Sequence, residues 1–225
     1  MIRLFTSLCK SVLEKLSDEA IFQEATEGFS YHNERCPSCG AAGKLSPYGE
    51  YFRNLVSHNG EKTIESQVSP LRFECASCGI THALLPDIIV PYSQYSLRFM
   101  LAVLVAYFER NTTVLAVCTY YGIAVSTLYA WKHRLLEHKD LLLGMLASLK
   151  EPVQVFLRDL FDSLRLSEQL SVFFRRYGFS FLQNRPEGFP HAGTGAKLST
   201  AATRYVVQGN RRHSCASCRL GYSRG

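Results

Sequence analysis

The chain has 225 residues, enough for one large domain or two small ones with a real core. Hydrophobic residues are 47% and charged residues 20%, the balance of an ordinary globular protein rather than a disordered one. The formal charge of +6 is uneven: Arg175 to Gly225 hold nine Lys or Arg against one acidic residue, net +8, which leaves −2 for everything before them. A basic tail suggests an anionic partner, with nucleic acid the usual one; a solvated, disordered tail is the alternative.

Residues 1–27 read as one or two helices with an apolar stripe through Leu4, Leu8, Val12 and Leu16, ended by Gly28. This start lacks the continuous apolar stretch and small-residue cleavage site of a targeting segment, so a cytoplasmic protein is expected. Residues 31–90 change character. Gly, Pro, Asn and Ser become frequent, and Tyr48–Val56, Thr63–Val68 and Leu71–Glu74 are strand candidates, with His58-Asn59-Gly60 as a turn. Pro86 and Pro91 close the region. From Ser96 the helical period returns, with helices expected near 96–109, 113–121, 126–138, 140–149 and 152–170. Asn111-Thr112-Thr113 supplies cap candidates, and Pro152 suits a first helical turn. The longest apolar run, Leu97 to Phe108, contains Arg98 and falls short of the roughly 20 residues of a bilayer span. It reads as a buried helix, and no membrane is expected as a partner. After Gly178 the pattern breaks down.

Eight cysteines fall as three Cys-x-x-Cys pairs, at 36, 75 and 215, plus Cys9 and Cys118. Without a secretion signal, paired cysteines read as metal ligands rather than disulfides. Cys36-Pro37-Ser38-Cys39-Gly40 and Cys75-Ala76-Ser77-Cys78-Gly79 are matched knuckles. Each aims two thiolates at one point, and a small residue after the second Cys lets backbone N–H groups approach the sulfurs. Two knuckles give four soft ligands in a tetrahedron, which suits one structural Zn²⁺ on Cys36, Cys39, Cys75 and Cys78. A closed shell leaves no position for a catalytic water. A redox dithiol would need only one pair, whereas iron–sulfur uses the same ligands and stays open. His32 and His82 lie close by and read as surface or supporting residues.

Val114 to Arg134 carries a second pattern. Gly122 sits where a tight turn between two helices needs positive φ, and Val117, Tyr121, Ile123, Leu128 and Trp131 form an inward-facing set. Small Cys118 falls where the helices approach. Ser126 is the expected N-cap of the second helix. As a helix-turn-helix, this helix would enter the major groove of duplex DNA. Ser126, Thr127, Tyr129 and His133 would face base edges, and Lys132 and Arg134 would contact phosphates. The exposed face is only mildly basic, and Arg175, Arg176, Arg211 and Arg212 could add charge.

The order of these parts is a four-cysteine ribbon, a Thr-His-x-Leu-Leu-Pro segment at 81–86, Pro91-Tyr92, an apolar helix, then the paired helices with Tyr129-x-Trp131-Lys132. Over about residues 30–140 this resembles bacterial zinc-ribbon and helix-turn-helix proteins related to the DNA-recognition regions of insertion-element transposases. The resemblance implies Cys36, Cys39, Cys75 and Cys78 as zinc ligands and 126–134 as the recognition helix. A full transposase would add a nuclease with three carboxylates on two metal ions. The acidic residues after Arg134 follow no strand pattern, and Asp159 and Asp162 read as the solvated face of an amphipathic helix, so no enzyme is expected.

The expected fold class is therefore α+β. An N-terminal helical segment (1–30) precedes a small zinc β-ribbon (31–92), a helix-turn-helix domain (93–150), an amphipathic helical segment (151–183) and a basic, poorly ordered tail (184–225). Cys215 and Cys218 make one knuckle that cannot close a tetrahedron alone. Phe173-Phe174-Arg175-Arg176-Tyr177 mixes aromatic and basic groups that could stack bases, although a helix end packed on the core is the commoner explanation. The expected function is zinc-stabilised DNA binding for a mobile element, as accessory or regulator, with a homodimer or a transposase as further partner. The alternative is a zinc-ribbon protein–protein interaction module without DNA binding.

Overall fold

A computed structural model describes residues 1–5, 16–162 and 166–184. Alternating apolar residues around the two cysteine knuckles build a four-stranded sheet of order β1-β6-β5-β2, where β1 is Ile2–Leu4, β2 Leu45–Glu50, β5 Leu71–Cys75 and β6 Thr81–Pro86. β1 runs parallel to β6, with Ile2 opposite Leu84; β5 is antiparallel to both its neighbours. Between β2 and β5 in sequence, β3 (Arg53–His58) and β4 (Thr63–Val68) form a separate antiparallel hairpin. Its turn is closed by Asn59 Oδ1, which accepts from the Glu61 and Lys62 N–H groups at 3.0 Å each.

Seven helices are present among the described residues: α1 (Asp18–Thr26), α2 (Leu97–Glu109), α3 (Val114–Tyr121), α4 (Val125–Leu143), α5 (Met145–Lys150), α6 (Val153–Asp162) and α7 (Leu166–Tyr177). Ser17, Ser96 and Thr113 cap α1, α2 and α3, each side chain accepting from an N–H three residues on. Arg98, the charged residue inside the apolar run, ties α2 to α1: its Nε meets Asp18 Oδ1 at 2.7 Å and its Nη1 donates to Leu16 O.

Two apolar clusters result among the described residues. A small one joins Ile2, Leu4, Leu45, Phe73 and Leu84 to Cys36 and Cys75. A large one gathers the helices around Phe99, Met100, Leu104, Leu128, Trp131, Phe173 and Phe181. The β3–β4 hairpin contributes Leu55, Val56 and Val68 to the large cluster, not to the one beside the cysteines.

The chain departs from the sequence expectations at several places. Ile2–Leu4 is a strand, not part of a helix, because it pairs with β6 and places Ile2 and Leu4 against the cysteines while Arg3 turns to the opposite side. Residues 6–15 lie outside the described residues. The expected strand Tyr48–Val56 is two strands that break at Tyr51 and Phe52, after a register shift between Pro47 and Gly49, and they join different sheets. Thr81–Pro86, which is not among the strand candidates, is the strand between β1 and β5. Helices expected at 126–138 and 140–149 are instead one long helix to Leu143 and a short one from Met145, because nothing interrupts the backbone before Gly144. The segment expected as one helix over 152–170 forms α6 and α7, and residues 163–165 are outside the described set. The tail expected over 184–225, with Cys215, Cys218, Arg211 and Arg212, also lies outside it beyond Asn184.

Candidate metal centre and nucleic-acid interface

Each knuckle is a tight turn with the same backbone bonds. The Gly40 N–H donates to Cys36 O and the Gly79 N–H to Cys75 O, while the Cys36 and Cys75 N–H groups bond Ala41 O and Ile80 O. Both glycines hold positive φ, 77° and 69°. β5 delivers Cys75, and the Arg35–Ala42 bridge closes the turn that delivers Cys36. The two knuckles bring the four sulfurs within 4.8 Å of one another. Cys36 to Cys78 and Cys39 to Cys75 are each 3.7 Å apart, too long for disulfides. A tetrahedron with bonds of about 2.3 Å has sulfur–sulfur edges of about 3.8 Å, so the spacing fits a divalent ion with four thiolate ligands. Cys36 and Cys75 are fully buried, Cys78 is half-buried and Cys39 is exposed.

The charges of the thiols also point to a cation. Burial raises the Cys75 thiol, but backbone N–H groups of Ser77 and Cys78 and the Cys36 and Cys39 thiols outweigh it, leaving the pKa at about 7. At Cys78 the Ile80 N–H lowers the pKa, yet burial and the three other thiols push it up to about 12. Cys39 is raised as well: the Ala41 N–H is outweighed by burial and by Cys36 and Cys75. Four sulfurs this close cannot all ionise without a positive charge among them. The arrangement can hold a metal ion.

His82, expected as a surface or supporting residue, takes the supporting place. It is buried on β6 with Nε2 3.3 Å from Cys36 Sγ and Nδ1 3.1 Å from the Met1 nitrogen. Burial first, and the positive Met1 nitrogen second, push its pKa down to about 4. The ring is therefore neutral, and its one proton belongs on Nε2, facing the sulfur. His32 is exposed and lies against the Tyr31 ring instead.

The second candidate site is the α3–α4 pair. The helices are bent by 103° across Gly122, Ile123 and Ala124. Gly122 has φ 66°, and the Ile123 N–H returns to Cys118 O at 3.0 Å. Val117, Cys118, Ile123, Leu128, Trp131 and Leu135 are all buried, and Tyr121 is half-buried. The hairpin braces this pair: Tyr120 Oη donates to Gly60 O at 2.7 Å, and Thr63 Oγ1 to Tyr121 O at 2.9 Å.

Of the six expected contact residues, Ser126, Tyr129 and His133 are exposed, while Thr127, Lys132 and Arg134 are half-buried. Ser126 is not the N-cap. That position is Ala124, with no side-chain bond, because the helix starts as soon as Ile123 has reached the core. His133 Nδ1 lies 3.7 Å from Glu137 Oε2. Burial lowers the Arg134 pKa. Lys132 Nζ donates to Tyr107 Oη at 3.0 Å, so this side chain is held by α2 rather than projecting freely. Tyr107 joins the surface across a fold contact for which the sequence carried no signal. Phe173 and Phe174 are buried, and Tyr177 Oη donates to Leu141 O, so this aromatic segment is a helix packed on the core.

Residues 36–131 match the model of a family described as a domain of unknown function, DUF6431. The match starts at Cys36 and ends at Trp131, and so takes in both knuckles, the hairpin, α2, α3 and the first turns of α4. No curated protein and no solved structure matches the chain. Among the described residues no single helix is long and apolar enough to cross a membrane.

Proposed function

We propose that this protein binds duplex DNA through α3 and α4 acting as a helix-turn-helix, with one structural zinc ion in the four-cysteine site. The observation that carries this reading is the 103° bend across a left-handed Gly122, which buries one side of α4 on α2 and leaves Ser126, Tyr129 and His133 in solvent. A structural role is favoured because four thiolates at tetrahedral spacing close the shell and leave no open position for substrate. The role is binding rather than catalysis, and the tie to a mobile element rests on the sequence resemblance.

The test is fluorescence anisotropy with duplex DNA over a salt series, in zinc-containing buffer, for the native chain and Thr127→Ala/Tyr129→Ala. Steeply salt-dependent binding weakened by the double substitution is expected. A folded, metal-loaded protein that binds no duplex overturns the reading. Metal analysis of the purified protein, with its visible absorption, separates one zinc from iron.

A second reading has its own observation. Met145, Leu146 and Leu149 on α5 are 65%, 79% and 80% exposed, an apolar face of the kind that marks protein contacts. An interaction module without DNA binding would form a stable complex that Leu146→Lys/Leu149→Lys abolishes and Thr127→Ala/Tyr129→Ala leaves intact.

A further inference from the structure

Lys132 was expected to contact phosphate, and its surroundings are specific. Its Nζ donates to Tyr107 Oη at 3.0 Å. It also lies 5.2 Å from the Tyr107 ring centre and 5.5 Å from that of Tyr129. The two rings meet edge to face, 6.3 Å apart. The ammonium is held between the Tyr107 hydroxyl and the Tyr129 ring, and one of its three N–H donors is used on Tyr107. A phenol that accepts from lysine directs its own O–H elsewhere. Among the described residues that proton has no acceptor. Tyr107 and Lys132 are half-buried and Tyr129 is exposed, so the group remains open to a ligand.

We propose that Lys132 and Tyr107 together form a seat for one backbone phosphodiester of duplex DNA. The ammonium offers N–H donors and neutralises the charge, and the Tyr107 hydroxyl donates to a second oxygen of the same phosphate. Tyr129 stands one helical turn nearer the start of α4 and serves both as the second wall of the cation and as a neighbour of the base edges. A phosphate contact flanking the groove-facing residues fixes register without reading sequence. This inference rests on the DNA-binding reading and adds a residue from α2 to that interface. Its rival is a staple between α2 and α4 with no ligand.

Tyr107→Phe separates the two. It keeps the ring and its packing on Phe108 and Tyr129, and removes the hydroxyl together with its hydrogen bond from Lys132. Duplex affinity should fall roughly tenfold, equally for all sequences. Lys132→Gln should reduce the salt slope by about one phosphate contact. In the Lys132→Gln background, Tyr107→Phe should then have little further effect, since lysine places the phenol. A native chain that binds duplex while Tyr107→Phe binds equally well overturns the seat and leaves the DNA reading standing. Lowered thermal stability at undiminished affinity overturns it in favour of the staple. A native chain that binds no duplex removes both.

Discussion

The metal site depends on more than its four ligands. A thiolate bound to a cation still carries negative charge, and a neutral N–H aimed at it stabilises the deprotonated form. His82 occupies that position toward Cys36, and burial keeps its ring neutral. The consequence is a graded pair of substitutions. Cys75→Ser removes a ligand and should abolish stoichiometric metal, with loss of the fold around the knuckles. His82→Ala leaves all four sulfurs and should weaken metal retention by about 10- to 100-fold in chelator competition. His82→Gln, which keeps a donor, should fall between His82→Ala and the native chain. If His82→Ala holds metal as tightly as the native protein, the histidine is only a filler of the small core.

At the scale of elements, the turn between α3 and α4 sets the angle on which the proposed DNA contact depends. Gly122 sits at φ 66°, and a Cβ added there would meet nothing within 4 Å. The cost of Gly122→Ala is then conformational rather than steric, about 1 kcal/mol. Gly122→Asn should cost less, because Asn tolerates the left-handed region. Urea denaturation measures both, and an alanine variant as stable as the native chain would show that the turn can relax. This turn was legible in the sequence because its determinants are local: a glycine, a buried stripe, and a cap residue at Thr113. The cysteine knuckles were legible for the same reason. Ser126 was misread as the cap because the length of the turn is set by how far Ile123 must reach into the core. The strand at Ile2–Leu4 and the pairing of Tyr107 with Lys132 were invisible because each depends on a partner distant in sequence. The hairpin was seen as strands, but its allegiance to the helices rests on contacts such as Tyr120 to Gly60.

The molecule as a whole is organised by two cores that share one strand. On β6, Leu84 belongs to the small cluster with Cys36 and Cys75, and the adjacent Leu85 belongs to the large helical one. Among the described residues the small cluster has only Ile2, Leu4, Leu45, Phe73 and Leu84 besides its two cysteines, with Phe29, Tyr31 and Cys78 packed around it. So few apolar side chains are too small a core to hold a sheet together without a cross-link or a metal. The helical cluster buries many more large side chains and includes Trp131, the one tryptophan of the chain, at 3% exposure. Metal removal should therefore unfold the cysteine-bearing sheet and spare the helices. Titrating the protein with a strong chelator should reduce the β contribution to circular dichroism while the helical signal and the Trp131 emission maximum stay where they were. Adding zinc back should restore the native spectrum. A red shift of Trp131 emission in step with metal loss would instead mean that β6 couples the two cores into one cooperative unit, in which case the metal would also control the α3–α4 angle and, through it, the proposed DNA contact.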